Sequence, residues 1–219
     1  MLLKTDKDKE SYAIGMNIGN SIHRDGVDVN PDILSRGLKD ALAGGKTVLT
    51  DDEAKAVMTS LRARLNKQQA AKAQLAAEAA KKVGDANKAA GDAFLAENKT
   101  KEGVVTLPSG LQYKILTEGT GPKPTATDTV VCNYKGTLLD NTEFDSSYSR
   151  KRPLTIPVGG VIKGWTEALQ LMPVGSKWQL FIPPDLAYGP QAKDPIGPNA
   201  TLIFEVELLS IQPKVEPAK

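Results

Sequence analysis

The sequence predicts an α+β protein in three parts: an N-terminal all-α segment, a long connecting helix, and a C-terminal antiparallel sheet carrying one short helix. Three observations predict it. Residues 51–98 contain no proline and are rich in Ala, Lys, Gln and Glu, which cost a helix little. After residue 103 the composition turns to β-branched residues and prolines, with apolar side chains alternating at period two. Inside that half, Ile162, Trp165 and Leu169 stand three and four apart, on one helical face. A single short helix between strand-patterned runs reads as the plug of a curved sheet.

Composition bounds the function. A chain of 219 residues is as well suited to two domains as to one. Charged residues at 25% and hydrophobic ones at 40% suit a soluble globular chain. The net charge of +2 gives no pull toward nucleic acid, and no run approaches the roughly 18–20 apolar residues of a membrane span. The single Cys132 excludes an intrachain disulfide. The single His23 cannot by itself build a metal or catalytic site, so neither a metal nor a cofactor is expected. The first ten residues lack an apolar signal core; the chain is expected to be cytosolic, or to have lost a signal segment.

The elements follow in order. Residues 11–45 read as two short helices. Tyr12, Ile14, Met16, Ile18 and Ile22 make the first apolar, and Gly15 and Gly19, four apart, admit a close helical neighbour. Asp25-Gly26 marks a turn. Asn30 caps the second helix, with Pro31 at its first position. Its apolar face is Ile33, Leu34, Leu38, Ala41 and Leu42, and Gly44-Gly45 stops it. So short a segment cannot bury an independent core. A second copy closes it, which predicts a homodimer through residues 11–65; a helical cap on the chain's own C-terminal domain is the alternative.

Thr50 and Glu53 form a capping box that opens a helix of roughly 45 residues, about 70 Å long. Val57, Leu61 and Leu65 would join the dimer core. Beyond Gln68 the large apolar residues thin to Leu75, Val83, Phe94 and Leu95, a solvated stalk rather than a coiled coil. A disordered linker is the other reading. Gly84 and Gly91 each cost about 1 kcal/mol against alanine and are expected bending points. The expected division is residues 1–50 for dimerisation, 51–98 for the connecting helix, and 99–219 for the functional domain.

In that domain, residues 104–107 and 111–116 flank the turn Pro108-Ser109-Gly110. Residues 129–138 alternate, and residues 154–158 form a strand that ends at Gly159-Gly160. The short helix stops near Met172-Pro173. Residues 176–182 and 200–209 follow as strands, with Leu202, Phe204, Val206 and Leu208 on one face. Residues 212–219 are expected to fray.

No Ser–His, Cys–His or metal-ligand spacing exists. What stands out is Tyr134, Phe144, Asp145, Trp165 and Tyr188, with prolines around the last. The pattern supports a shallow apolar groove with one acid and two phenols. The plainer readings are that Trp165 is only core and that Asp145 caps a turn after a strand.

Six stretches then carry a resemblance: Asn133-Tyr134-Lys135-Gly136, Glu143-Phe144-Asp145-Ser146-Ser147, Val161-Ile162-Lys163-Gly164-Trp165, Met172-Pro173-Val174-Gly175, Leu186-Ala187-Tyr188-Gly189 and Asn199-Ala200-Thr201-Leu202-Ile203-Phe204. In order and spacing, over residues 105–211, they resemble the FKBP family of peptidyl-prolyl cis/trans isomerases. The helical front half is similar to the macrophage infectivity potentiator (Mip) branch of Gram-negative bacteria. The resemblance implies a bent antiparallel sheet wrapped around the short helix. It implies catalytic roles for Asp145, Tyr188 and Tyr134. Trp165 would be the pocket floor, with Phe144, Val161, Ile162 and Phe204 as walls.

Tyr188 and the Ile162 N–H would donate to a substrate carbonyl, and Asp145 would sit beside Tyr134. Leu154, Ile156 and Leu186 occupy wall positions that are often aromatic in small single-domain members. Residues 190–198 would set the preference for the residue before proline. The implied partners are proline-containing peptides, unfolded protein clients and macrolide inhibitors such as rapamycin. The implied location is periplasmic or outer-membrane-associated, although a cytosolic branch shares the architecture. The alternative function is a dimeric holdase that grips unfolded clients, with isomerisation secondary. Deleting residues 1–98 is expected to leave an active monomer.

Overall fold

The computed structural model describes residues 3–212, and the chain divides into two compact units, Met1–Gln74 and Leu75–Lys219. The first unit is helical. Helix α1 spans Asp6–Arg24, starting five residues before the expected point. A second capping box accounts for the difference: Thr5 Oγ1 accepts from the Asp8 N–H at 3.1 Å and Asp8 Oδ2 from the Thr5 N–H at 2.9 Å. Helix α2 spans Pro31–Leu42, and Asn30 Oδ1 caps its N–H groups at Asp32 and Ile33. Helix α3 spans Asp51–Asn98, with the Thr50–Glu53 capping box formed in both directions. None of the described residues up to Gln74 is buried. Tyr12, Ile14, Met16, Ile33, Leu38 and Leu42 all lie exposed, so this unit has apolar faces without an interior.

The second unit is built on a seven-stranded antiparallel sheet. Its strands are β1 (Val104–Thr106), β2 (Gln112–Thr117), β3 (Thr129–Thr137), β4 (Glu143–Ser146), β5 (Leu154–Pro157), β6 (Lys177–Ile182) and β7 (Leu202–Ile211). They run in the order β1-β2-β6-β7-β3-β4, with β5 also paired to β3. Along one edge of β3 lies β7; along the other, β5 covers residues 129–132 and β4 covers 135–137. This split edge bends the sheet around α4 (Lys163–Leu171). The period-two reading of β3 and β7 holds: Val130, Cys132 and Tyr134 face Leu202, Phe204, Val206 and Leu208 in one core with Trp165, Ala168 and Leu169 of α4. Helix and sheet approach closely at Gly164, where a Cβ would come within 2.6 Å of Ile182 Cγ2.

The end of α3 also belongs to this unit. Phe94 packs on Phe181 at a centroid distance of 5.8 Å. Buried Asn98 donates to Gln112 Oε1 at 2.9 Å, and Gln112 in turn donates to the Leu95 carbonyl at 2.9 Å. Gly84 and Gly91, expected as bending points, are instead points of contact within a continuous helix. A Cβ on Gly91 would stand 2.2 Å from Thr201 Oγ1, and one on Gly84 would stand 3.2 Å from Asn199 Nδ2. Residues 213–219 of the tail expected to fray lie outside the described residues. Among the described residues no helix is long and apolar enough to cross a membrane.

Candidate functional site

A cavity of about 510 Å³ opens where β3, β4, β5 and the start of β7 meet the N-terminal end of α4. Its lining begins with the β3–β7 register. Gly136 pairs with Phe204 on one side and with Asp145 on the other. Having no side chain there lets the two flanking rings close over the backbone, since a Cβ on Gly136 would stand 2.7 Å from both Phe144 and Phe204. Phe144 meets Phe204 edge-on at 5.4 Å, and Trp165 meets Tyr134 and Phe204 edge-on, each at 5.2 Å. Edge-to-face contacts of this kind favour one ring arrangement over others. Trp165, held by α4, is 4% exposed. Val161 and Ile162 precede that helix, and Leu154 and Ile156 reach in from β5.

One wall is polar. The Tyr134 hydroxyl donates to Asp145 Oδ2 at 2.5 Å. Arg150 closes the group, donating through one guanidinium nitrogen to Asp145 Oδ1 and through the other to the Tyr134 oxygen. Its guanidinium also lies 5.4 Å from the Tyr134 ring centre. Partial burial pushes the Asp145 carboxyl up, but the hydrogen bonds from Tyr134 and Arg150 outweigh it and leave the group below the usual carboxylate range. Burial, then the bond to Asp145, pushes the Tyr134 phenol up to about 12. At neutral pH the wall is therefore one carboxylate, one neutral phenol and one guanidinium. Across the cavity, the Lys193 ammonium sits 4.8 Å from the centre of the Tyr188 ring.

The structure brings Asp145, Tyr188, Tyr134, Phe144, Val161, Ile162, Trp165, Phe204, Leu154 and Ile156 to this one cavity. Leu186 packs against the core instead and does not line it. Asp145 lies within β4 rather than in a turn after it. Sequence reasoning missed Arg150; of the loop 190–198, expected to set the preference before proline, Lys193, Asp194, Pro195 and Ile196 line the cavity. Arg150 was within reach, five residues after Asp145 on the connection that follows β4, but a search for acids and aromatics passes over it. Among the described residues no group of three or more His, Cys, Asp and Glu side chains could hold a metal ion.

Comparison with known proteins adds the lineage. Residues 121–209 match the family described as FKBP-type peptidyl-prolyl cis-trans isomerase. Residues 7–115 match the domain amino terminal to FKBP-type peptidyl-prolyl isomerase. The chain is similar to the outer membrane protein MIP of Legionella longbeachae, 50% identical over 211 residues that make up 96% of this chain and 88% of that protein. It is similar to the peptidyl-prolyl cis-trans isomerase Mip of Coxiella burnetii, 43% identical over 97% of this chain and 90% of that protein. Among solved structures, FkpA from Escherichia coli superposes with a TM-score of 0.61 at 38% identity, covering 97% of this chain and 99% of that one. With both halves matched and this identity sustained along nearly the whole length, the chain belongs to the FKBP-type peptidyl-prolyl cis-trans isomerases.

Proposed function

We propose that this isomerase turns X-Pro bonds in the Trp165 cavity, with Asp145, Tyr188 and Tyr134 as its catalytic groups. Phe144, Val161, Ile162, Trp165, Phe204, Leu154 and Ile156 bind substrate. The observation that carries the reading is a Trp165-floored apolar cavity with the Tyr134–Asp145 pair on its wall, held by Arg150. Rotation about an X-Pro bond is slow because amide resonance sets a barrier of about 20 kcal/mol. Twisting the C–N bond removes that resonance and lowers the polarity of the amide. A water-poor pocket disfavours the planar, dipolar form more than the twisted one. The proline ring packs on Trp165. The Tyr188 hydroxyl and the N–H of Ile162, which precedes the first turn of α4, hold the flanking carbonyls. Asp145, fixed by Tyr134 and Arg150, orients the site.

The test is isomerisation of a short X-Pro peptide by the wild type and by Asp145→Ala, with and without rapamycin. The expected result is fast catalysis that falls at least about tenfold in the variant and is blocked by the macrolide; tenfold corresponds to about 1.4 kcal/mol of barrier. A folded wild type without catalysis would remove the assignment of this cavity.

The exposed apolar faces of α1 and α2 support a homodimer through residues 11–65. In this reading residues 1–50 make the dimer, 51–98 connect, and 99–219 carry the site. Whatever part of these faces stays exposed in the dimer favours a second activity, a holdase that binds unfolded clients beside proline-containing peptides. Asp145→Ala with Tyr188→Phe would then cripple isomerisation and spare suppression of client aggregation; loss of both together would count against a separate surface. The similarity to a protein named for the outer membrane supports a periplasmic or outer-membrane-associated location over a cytoplasmic one.

A further inference from the structure

The connecting helix does more than end beside the isomerase unit. Four contacts tie its second half to the connection between Tyr188 and β7. Asn87 Nδ2 donates to the Pro198 carbonyl at 2.9 Å. Asn199 Nδ2 reaches the Gly84 carbonyl at 3.4 Å. Gly197 lies so close to the helix that a Cβ there would stand 2.9 Å from Asn87 Nδ2. Gly91 lies closer still to Thr201, where a Cβ would stand 2.2 Å from Oγ1.

The connection itself is a closed loop. The Asn199 N–H donates to the Gly189 carbonyl at 2.7 Å, drawing its two ends together, and the Lys193 N–H donates to the Ile196 carbonyl at 2.7 Å, forming the tip. Residues 193–196 of that tip line the cavity, as does Tyr188, which immediately precedes Gly189. Two hydrogen bonds in series, Gly84 to Asn199 and Asn199 to Gly189, therefore link α3 to the residue next to Tyr188. Surface loops are the most mobile parts of a domain, and a site built on one needs a rigid support. Here α3 supplies it.

We propose that the second half of α3 positions the pocket wall made by Tyr188 and residues 193–196, through Asn87 and through the side-chain-free contacts at Gly84 and Gly91, and so helps set which residue before proline the isomerase accepts. The proposal rests on the reading of this cavity as the substrate site. Asn87, Gly84 and Gly91 are positioning residues: none lines the cavity. Gly91 and Thr201 form a size-matched pair. An alanine at 91 has to displace Thr201, whereas with alanine at both positions the clashing oxygen is gone and the remaining Cβ–Cβ approach of 3.2 Å asks for a shift of only a few tenths of an ångström. Thr201 Oγ1 is buried without a hydrogen-bond partner among the described residues, so removing it leaves no new group unsatisfied.

The experiment uses the full chain. Isomerisation is followed with peptides that differ only in the residue before proline (alanine, leucine, phenylalanine, glutamate, lysine). The proteins are the wild type, Asn87→Ala, Gly91→Ala, and Gly91→Ala with Thr201→Ala. KM and kcat are measured well below each protein's melting temperature. Asn87→Ala and Gly91→Ala are expected to lower kcat/KM by about threefold to tenfold, unequally across the peptides and chiefly through KM. The double variant is expected to return to within about twofold of wild type. A lower melting temperature with the peptide ranking unchanged would overturn the proposal and leave α3 a structural prop. So would a double variant that stays as impaired as Gly91→Ala. If Gly91→Ala fails to fold, Asn87→Ala decides alone. An inactive wild type would instead count against the reading of the cavity, which keeps the two failures apart.

Discussion

Tyr134 and Asp145 sit on adjacent strands and share a 2.5 Å hydrogen bond from phenol to carboxylate. The register places them: Gly136 pairs with Asp145, and Tyr134, two residues before Gly136, points to the same face of β3. The bond therefore depends on sheet geometry more than on either side chain alone. It also keeps each group in the charge state that the cavity uses.

The first prediction concerns pH. Asp145 has its carboxyl held below the ordinary value of 3.8. A depressed folded-state value contributes stability that is present above the unfolded value and lost as pH falls through the folded one. Tyr134 is raised from 10.0 to about 12, so its contribution is present below about pH 10 and lost as pH rises toward 12. Between these limits neither group titrates. The wild-type kcat/KM should be flat from about pH 5 to pH 9, and denaturant midpoints should fall below about pH 4 and above about pH 10. A rate profile with a steep limb inside the flat range would refute the assigned charge states.

Arg150 should matter through Asp145 rather than by contact with substrate. Replacing it with leucine removes two of the influences that lower the Asp145 carboxyl, while burial, which raises it, remains. The Arg150→Leu variant should therefore gain an acid limb in its kcat/KM profile, at higher pH than any in the wild type, with a change of less than about tenfold at pH 8. A carbon-detected titration of the Asp145 carboxyl would report the shift directly, and an unmoved titration would remove this role.

Gly136→Ala probes the aromatic wall. The added methyl has to displace Phe144 or Phe204, both 2.7 Å away, in a closely packed site. Overpacking of this kind costs about 1–3 kcal/mol. The expected outcome is a lower urea midpoint together with a raised KM, because the same rings that resist the methyl line the cavity proposed to take substrate. Loss of stability with KM unchanged would mean the rings yield without altering the cavity.

Much of this was legible in the sequence because it rests on local patterns. Strands β3 and β7 followed from period two, α4 from Ile162, Trp165 and Leu169, and α2 from Asn30-Pro31, whereas β4, only four residues long, was not expected. The start of α1 was missed because Asp8 stands where a capping box more often has glutamate. The site was legible to the extent that its members are aromatic or acidic. Arg150 was not, because its importance comes from a loop that brings it back to Asp145, which no periodicity records, and the loop 190–198 was legible only through the family resemblance. Gly84 and Gly91 show the same limit. In the helix alone they look like weak points, and only the packing of residues 198–201 against them explains their size.

The homodimer can be tested on α2. Ile33 is 64% exposed and Leu42 79%, with Leu34 and Leu38 between them on the same face. Exposing so continuous an apolar face in water is unfavourable by about 25 cal/mol for each Å². Leu38→Asp should convert a dimer to a monomer in sedimentation equilibrium, lower the helicity of the N-terminal unit, and leave short-peptide isomerisation within about twofold of wild type. A wild type that sediments as a monomer would exclude the dimer outright.

Truncation distinguishes a connecting helix that only spaces the units from one that also supports the site. A fragment of residues 75–219 keeps the Phe94–Phe181 contact, the Asn98–Gln112–Leu95 hydrogen bonds and the Asn87–Pro198 bond. A fragment of residues 99–219 loses all of them and uncovers Phe181, which is 5% exposed in the intact chain. Gln112, 3% exposed, would lose both of its partners on α3. Each hydrogen bond lost to water in this way costs about 0.5–1.5 kcal/mol, and uncovering an aromatic side chain adds about 1.5–3 kcal/mol. The longer fragment should therefore be monomeric and match the full chain on short peptides. The shorter one should melt at a clearly lower temperature and lose several-fold in kcat/KM even where it is folded. Equal stability and activity in the two fragments would show that α3 stops mattering at residue 98, and that the sheet and α4 hold the cavity unaided.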